Sequence, residues 1–89
     1  MTEEISRQRQ PGRYDVMLEP FDKTQKAFIF EFKVLDPDEN ENSLEDTVKN
    51  ALAQIEEKQY ETELTASGIA QKNIRKYGFA FCGKQVLIG

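Results

Sequence analysis

The chain has no histidine and a single cysteine, Cys82, among its 89 residues. Without an imidazole it cannot perform Ser-His or Cys-His nucleophilic catalysis, and it cannot bind a metal through histidine ligands. One thiol rules out an internal disulfide and a structural zinc site within one chain. A catalytic metal would therefore need oxygen ligands, which favours Mg²⁺ or Mn²⁺.

Long apolar runs are also missing. No segment approaches the roughly 18–20 apolar residues that span a bilayer, and the first ten residues, MTEEISRQRQ, lack the apolar region of a signal peptide. We therefore expect a cytoplasmic protein with no membrane partner. Hydrophobic residues make up 38% and charged residues 31% of the chain, which is typical of a soluble globular domain. Residues 1–89 are interpreted as one domain.

Charge is unevenly distributed along the chain. Residues 35–63 carry ten acidic and two basic side chains, whereas residues 64–89 carry four basic and no acidic ones. The net charge of −4 argues mildly against nucleic acid as a partner, because proteins that bind it usually present a basic face. A local basic surface is still open to this chain if the fold brings its basic residues together.

Two alternating segments predict the first strands of a sheet. They are residues 13–19 (RYDVMLE) and residues 27–35 (AFIFEFKVL), the most apolar stretch of the chain. The second segment is apolar on both faces, which is typical of a central strand. A hairpin with its loop at residues 20–26 keeps the face patterns of both strands consistent, and a register shifted by one residue does not.

This predicted register places Asp15 opposite Glu31, with Lys33 next along the same face. Two facing carboxylates repel each other in a partly buried site, and a divalent ion between them removes that cost. A neighbouring lysine can hold a water molecule and balance the charge that develops on a phosphate. The set suits metal-assisted phosphodiester hydrolysis. A surface ion pair of Glu31 and Lys33 is the alternative, although charges are costly in so apolar a strand.

The middle of the chain predicts a loop and two helices. Residues 36–42 (DPDENEN) are interpreted as a solvated acidic loop. Ser43 is predicted to cap a helix that runs to about Tyr60. Gln54 would then lie at the border between the core and a cleft. A second, short helix is predicted over residues 65–74.

The two ends of the chain complete a mixed α/β order of strand, strand, helix, strand, strand. Residues 77–82 are predicted to form a buried strand, with Cys82 as a small buried residue. A two-residue turn with glycine first leads to a last strand at residues 85–88. Residues 1–12 are interpreted as a polar N-terminal arm or an edge strand.

Four blocks of sequence, taken in order, resemble the PD-(D/E)XK nuclease superfamily. They are Gly12-Arg13-Tyr14-Asp15, Glu31-Phe32-Lys33, the run Ala51 to Tyr60 (ALAQIEEKQY) and the run Tyr77 to Lys84 (YGFAFCGK). The last two are similar to one branch, a nuclease-like domain of unknown function found C-terminal to AAA-ATPase-like bacterial proteins. The resemblance implies a restriction-endonuclease-like fold and a magnesium-dependent nuclease that acts on DNA.

The resemblance also implies roles for individual residues. The catalytic set would be Asp15, Glu31, Lys33 and Gln54. Mg²⁺ or Mn²⁺ would be bound by Asp15, Glu31 and the main-chain carbonyl of Phe32, Lys33 would be the catalytic lysine, and Gln54 would orient water or phosphate. Weaker candidates for substrate binding are Arg13, Lys58 and Tyr60.

The chain departs from the superfamily pattern at its beginning. The superfamily core usually starts with a helix, and only twelve residues precede Arg13, so we expect a truncated core that lacks this helix. We also expect this chain to lack the ATPase domain of related proteins. The alternative function is therefore a catalytically inactive interaction module with the nuclease fold, which forms a homodimer or docks on a partner through an exposed apolar edge.

Overall fold

Five strands form one mixed sheet in the computed structural model, which describes residues 2–10 and 12–89 and the side chains of residues 12–89. The sheet order is β1-β2-β3-β4-β5, and all neighbours are antiparallel except β3 and β4, which are parallel. The strands are β1 (Thr2–Gln10), β2 (Arg13–Pro20), β3 (Ala27–Val34), β4 (Ile74–Cys82) and β5 (Gln85–Ile88). The apolar β3 lies between β2 and β4, which confirms its predicted central place.

The connection from β3 to the parallel strand β4 contains two helices, α1 (Leu44–Glu57) and α2 (Tyr60–Ala66). Ser43 caps α1 as predicted, because its hydroxyl accepts a hydrogen bond from the main-chain N–H of Asp46 at 3.4 Å. Gln59, in the left-handed conformation with φ of 59°, separates the two helices. None of the helices in the described part of the chain is long and apolar enough to cross a membrane.

The predicted second helix over residues 65–74 is wrong in its position. Tyr60 and Leu64, one turn apart, are the residues that α2 buries, so the helix begins at Tyr60 and ends at Ala66. Gly68 then takes a φ of +107°, and a right-handed helix cannot continue through a residue in this conformation. Only a single 3₁₀ turn, Gln71–Asn73, follows before β4 begins.

The hairpin of β4 and β5 has the predicted two-residue turn. It contains Gly83 and Lys84, and Gly83 has a φ of +60°, where glycine is favoured over other residues. The prediction that Cys82 is buried is wrong. It is exposed because it is the last residue of β4, next to the turn into β5.

The two helices cover one face of the sheet. The core lies between this face and the helices. Its buried members are Met17, Ala27, Ile29, Ile55, Tyr60, Leu64, Ile69 and Ile74. Gly78 in β4 allows a close approach of α1, because a Cβ at this position would lie 3.1 Å from the Cβ of Ala51. This packing holds α1 across β3, β4 and β5.

The opposite face of the sheet is strongly apolar, and neither α1 nor α2 lies on it. Neighbouring rings on this face have centroids 4.8–6.3 Å apart. We call it the aromatic face, and its rings are Tyr14, Phe28, Phe30, Phe32, Tyr77, Phe79 and Phe81. All seven are half-buried or exposed in the chain as described.

Candidate active site

The candidate site begins with two carboxylates on the helix-covered face of β2 and β3. Asp15 pairs directly with Glu31 in the antiparallel ladder, so the predicted register is confirmed. Asp15 is 4% exposed and Glu31 is 1% exposed. Directly opposed residues of this kind have Cβ atoms about 4.5–5.5 Å apart. The two acidic side chains therefore share one small, water-poor volume.

Tyr60 connects this carboxylate pair to α2. Its hydroxyl donates a hydrogen bond to Oδ2 of Asp15 at 2.5 Å, and its ring belongs to the buried core. Tyr60 is the first residue of α2, directly after left-handed Gln59, so the break between the helices directs it at β2. The structure thus places Tyr60 against a candidate metal ligand.

The other predicted site residues lie at different distances from the core. Gln54 is half-buried on α1, and its amide donates a hydrogen bond to Oε2 of Glu57 at 3.3 Å. Lys58 is exposed at the C-cap of α1. The ring of Phe32 is on the aromatic face, so only its main-chain carbonyl is available to the site. Gln54 is thus partly covered and Lys58 is not, and the predicted role of each residue stays a prediction.

Two cations face each other one pleat away from the carboxylates. Lys33 of β3 is the cross-strand partner of Arg13 of β2, and both side chains turn to the helix-covered face. Lys33 is 1% exposed and Arg13 is 9% exposed. Two like charges in so buried a position are costly unless carboxylates compensate them.

The compensating carboxylates come from the segment between β3 and α1. Oε2 of Glu41 lies 2.6 Å from Nζ of Lys33, and Oε2 of Glu39 lies 3.2 Å from the same nitrogen. The other oxygen of Glu39 accepts a hydrogen bond from Nη2 of Arg13. The prediction of a solvated loop at residues 36–42 is therefore wrong for Glu41, which is buried against Lys33. Glu39 stays 34% exposed, although its carboxylate turns towards the same cations.

Glu41 is the most firmly held acid of this network. Besides Lys33, its carboxylate accepts hydrogen bonds from the Thr47 hydroxyl at 2.9 Å, the Asn50 amide at 2.7 Å and the main-chain N–H of Asp36 at 2.8 Å. Burial on its own raises the pKa of Glu41, but these bonds outweigh it and lower the pKa to about 2. Glu41 is consequently ionised at neutral pH.

The sequence reasoning missed this network, whose members are Glu39, Glu41, Thr47 and Asn50. One signal is present in the sequence, because any register that pairs Asp15 with Glu31 also pairs Arg13 with Lys33 on the same face. A buried pair of cations requires nearby anions, and the acidic segment directly follows β3. Which of its acids turn inward depends on the 3₁₀ turn Pro37–Glu39 and on left-handed Asn40, and composition does not predict such turns.

The donor set of the site fits a hard divalent cation. Asp15 and Glu31 offer carboxylate oxygens side by side, which are the ligands that Mg²⁺ and Mn²⁺ prefer. Among the side chains that the structure describes, no three acidic, cysteine or histidine residues form a metal-binding group. Asp15 and Glu31 are the described residues that would hold such an ion, and main-chain oxygen and water are further ligands that it accepts.

A mixed α/β domain with two carboxylates and a lysine on neighbouring strands is consistent with a nuclease-like fold. The sequence model of the PD-(D/E)XK nuclease superfamily matches residues 3–89. The chain therefore belongs to this superfamily, and its fold is consistent with the restriction-endonuclease-like fold that the resemblance implied. Comparisons with curated proteins and with solved structures gave no match.

Proposed function

We propose that this protein is a metal-dependent nuclease that hydrolyses phosphodiester bonds in DNA. The observation that supports this function is the pairing of Asp15 with Glu31, with Lys33 one pleat along the same covered face. Superfamily membership supports it at the level of a nuclease-like protein. The association with AAA-ATPase-like proteins stays a prediction.

In this proposal Asp15 and Glu31 bind Mg²⁺ or Mn²⁺, and the carbonyl of Phe32 assists them. The bound ion would supply Lewis-acid stabilisation of the phosphate and an activated water. Lys33 balances the negative charge that develops on the phosphate. Gln54 orients water or phosphate from the helix side, and Tyr60 holds Asp15 in position through its hydrogen bond.

The second candidate is a catalytically inactive interaction module with the nuclease fold. The observation that favours it is the engagement of Lys33, whose ammonium is 2.6 Å from Glu41, 3.2 Å from Glu39 and 1% exposed. A lysine held in this way serves the fold as a structural charge. The aromatic face would then be the surface on which a second copy binds.

A metal titration followed by thermal denaturation separates the two candidates. A ligand that binds only the folded state raises the melting temperature as its concentration increases. We expect millimolar Mg²⁺ or Mn²⁺ to stabilise the native chain and the control Glu45→Gln, which removes an exposed carboxylate of α1. The isosteric Glu31→Gln should abolish the shift. If the native chain shows no shift at all, the inactive module is favoured.

Nuclease activity itself is tested with linear and circular DNA in the presence of Mn²⁺. We expect cleavage by the native chain and by Glu45→Gln, and its loss in Glu31→Gln and Lys33→Ala. Because Lys33→Ala leaves Glu41 without its cation, circular dichroism should first establish that this variant is folded. Cleavage that is unchanged in both site variants would identify a contaminating nuclease.

A further inference from the structure

One carboxylate bridges the two buried cations of the site. Glu39 accepts a hydrogen bond from Nη2 of Arg13 with one oxygen, and its second oxygen is 3.2 Å from Nζ of Lys33. A phosphodiester presents two charged oxygens to its surroundings in a similar way, and arginine and lysine are the side chains that bind such groups. Glu39 therefore occupies the position that a phosphate would take between these cations.

Glu39 is held much more weakly than its neighbour Glu41. Among the described residues, its carboxylate pairs with the two cations alone, and its side chain is 34% exposed. Glu41 is fully buried and is also held by α1 and by a main-chain N–H. Glu39 lies on a single 3₁₀ turn, Pro37–Glu39, none of whose residues is buried. An incoming anion can thus displace Glu39 while Glu41 stays in place.

There is room beside Glu39 for a phosphate to take its place. A pocket open to solvent lies beside the contact and is lined by Arg13, Lys33 and Glu39, together with Gly12 and Val34. It is one pleat from the Asp15–Glu31 pair, a separation of about 6–7 Å along each strand. A phosphate in this pocket would lie next to the proposed metal ligands.

We propose that Arg13 and Lys33 form a binding site for one phosphate of a nucleic-acid backbone, and that Glu39 occupies this site as an internal competitor which the phosphate must displace. The inference rests on the proposed function and deepens it, because it names the group that has to leave before the substrate binds. In the resting protein Glu39 neutralises the two cations, and in the complex the phosphate does so.

The test is the affinity for a fluorescent DNA oligonucleotide, measured by anisotropy in EDTA. The variant Glu39→Gln removes the competing charge, and Asp38→Asn is the matched control because it removes an exposed charge from the same turn. We expect Glu39→Gln to bind about tenfold more tightly. This is the factor that results when the fraction of molecules with a free phosphate site rises from about a tenth to nearly all. Asp38→Asn should change the affinity little. An equal gain in both variants, or no gain in Glu39→Gln, overturns the proposal.

A second measurement needs no variant. Inorganic phosphate is titrated into the native protein, and the carboxyl carbon of Glu39 is followed by NMR. The contact with Arg13, assisted by Lys33, now holds the pKa of Glu39 below its usual range. Displacement breaks these contacts and should therefore shift the carboxyl signal at neutral pH. A pH titration of the same signal should show the pKa returning towards its ordinary value. A Glu39 signal that stays unchanged throughout the titration contradicts the proposal.

Both measurements are made without a divalent metal, so they do not depend on cleavage. Tighter binding by Glu39→Gln in a protein that never cleaves DNA would support the phosphate site and refute the nuclease. Cleavage that is lost in Glu31→Gln, without tighter binding by Glu39→Gln, would support the nuclease and refute the competition.

Discussion

At the scale of single residues, the ion pair of Glu41 and Lys33 carries a large desolvation cost. Both side chains are at most 1% exposed, so both charges have lost most of their hydration. The carboxylate recovers part of that loss through donors on α1 and the main-chain N–H of Asp36. A buried pair of this kind adds little net stability, but the loss of one partner leaves the other charge uncompensated.

The variant Glu41→Gln should therefore destabilise the fold by about 3 kcal/mol, the usual cost of breaking a buried ion pair. Glutamine has nearly the same volume as glutamate, so the lost stability reflects the removal of the charge and not a change in packing. Glu63→Gln removes an exposed carboxylate of α2 and should change stability by less than about 0.5 kcal/mol. Urea denaturation of both variants provides the measurement. Equal midpoints for Glu41→Gln and the native chain would show that the pair contributes nothing.

The low pKa of Glu41 makes part of the stability dependent on pH. Its pKa is about 2 in the folded chain against an ordinary value of 4.5. A lowered pKa means that the stabilisation is fully present above pH 4.5 and is lost as the pH falls towards 2. A shift of this size corresponds to about 3 kcal/mol.

The measurement is the difference in unfolding free energy between the native chain and Glu41→Gln, taken at several pH values. This difference should be constant above pH 5 or so and should shrink steadily below about pH 4.5. The Glu63→Gln variant serves as the control, because its difference should stay small at every pH. If the difference in unfolding free energy between the native chain and Glu41→Gln does not depend on pH, Glu41 is not the titrating group.

At the scale of elements, local patterns predict the strands and the first helix well. The alternation of apolar and polar residues predicts which side chains of β2 and β3 share a face. The predicted register keeps both faces consistent, and it pairs Asp15 with Glu31. Ser43 and the apolar stripe of α1 are similarly local signals. These predictions hold because each depends on residues close together in sequence.

The elements that sequence reasoning misplaced depend on tertiary contacts. The position of α2 is decided by the burial of Tyr60 and Leu64 against the core, which outweighs local helix preference. The inward turn of Glu39 and Glu41 is decided by cations on the strands. Arg13 of β2 lies 26 residues before Glu39, and Lys33 of β3 lies eight residues before Glu41. For the candidate site, the strand residues were therefore predictable, and their counter-ions were not.

Gly78 sets the distance between α1 and the sheet. An added Cβ would lie 3.1 Å from the Cβ of Ala51 and 3.2 Å from the main-chain oxygen of Val48, both closer than ordinary contacts. Because that oxygen belongs to the helix backbone, α1 would have to move. We expect Gly78→Ala to cost about 2 kcal/mol, which is typical of overpacking in a core.

The variant Gly83→Ala, in the turn between β4 and β5, is the control for Gly78→Ala. A Cβ at position 83 meets open space, so its cost is limited to the strain of the left-handed backbone, about 1 kcal/mol. Thermal or urea denaturation of the two variants should rank Gly78→Ala as the less stable. The reverse order would show that α1 can adjust to the added methyl group at little cost.

At the scale of the whole molecule, the sheet is unequally covered. One face packs against α1 and α2 around the buried core, whereas the aromatic face exposes much of its apolar surface in the described structure. Val34, Val86 and Ile88 on this face are each more than half exposed. Apolar surface that is contiguous in this way usually marks a site of interaction.

The homodimer that belongs to the inactive-module candidate is tested on this face. Val34 and Ile88 are 51% and 55% exposed, so lysine at both positions should leave the monomer folded while placing charge on the aromatic face. We expect the native chain to sediment as a dimer at high concentration and the Val34→Lys, Ile88→Lys double variant to stay monomeric. Ala53→Lys with Thr62→Lys adds the same charge on the exposed sides of the helices and should still dimerise. A native chain that remains monomeric at every concentration would refute the homodimer, and equal dimerisation of both variants would place the interface elsewhere.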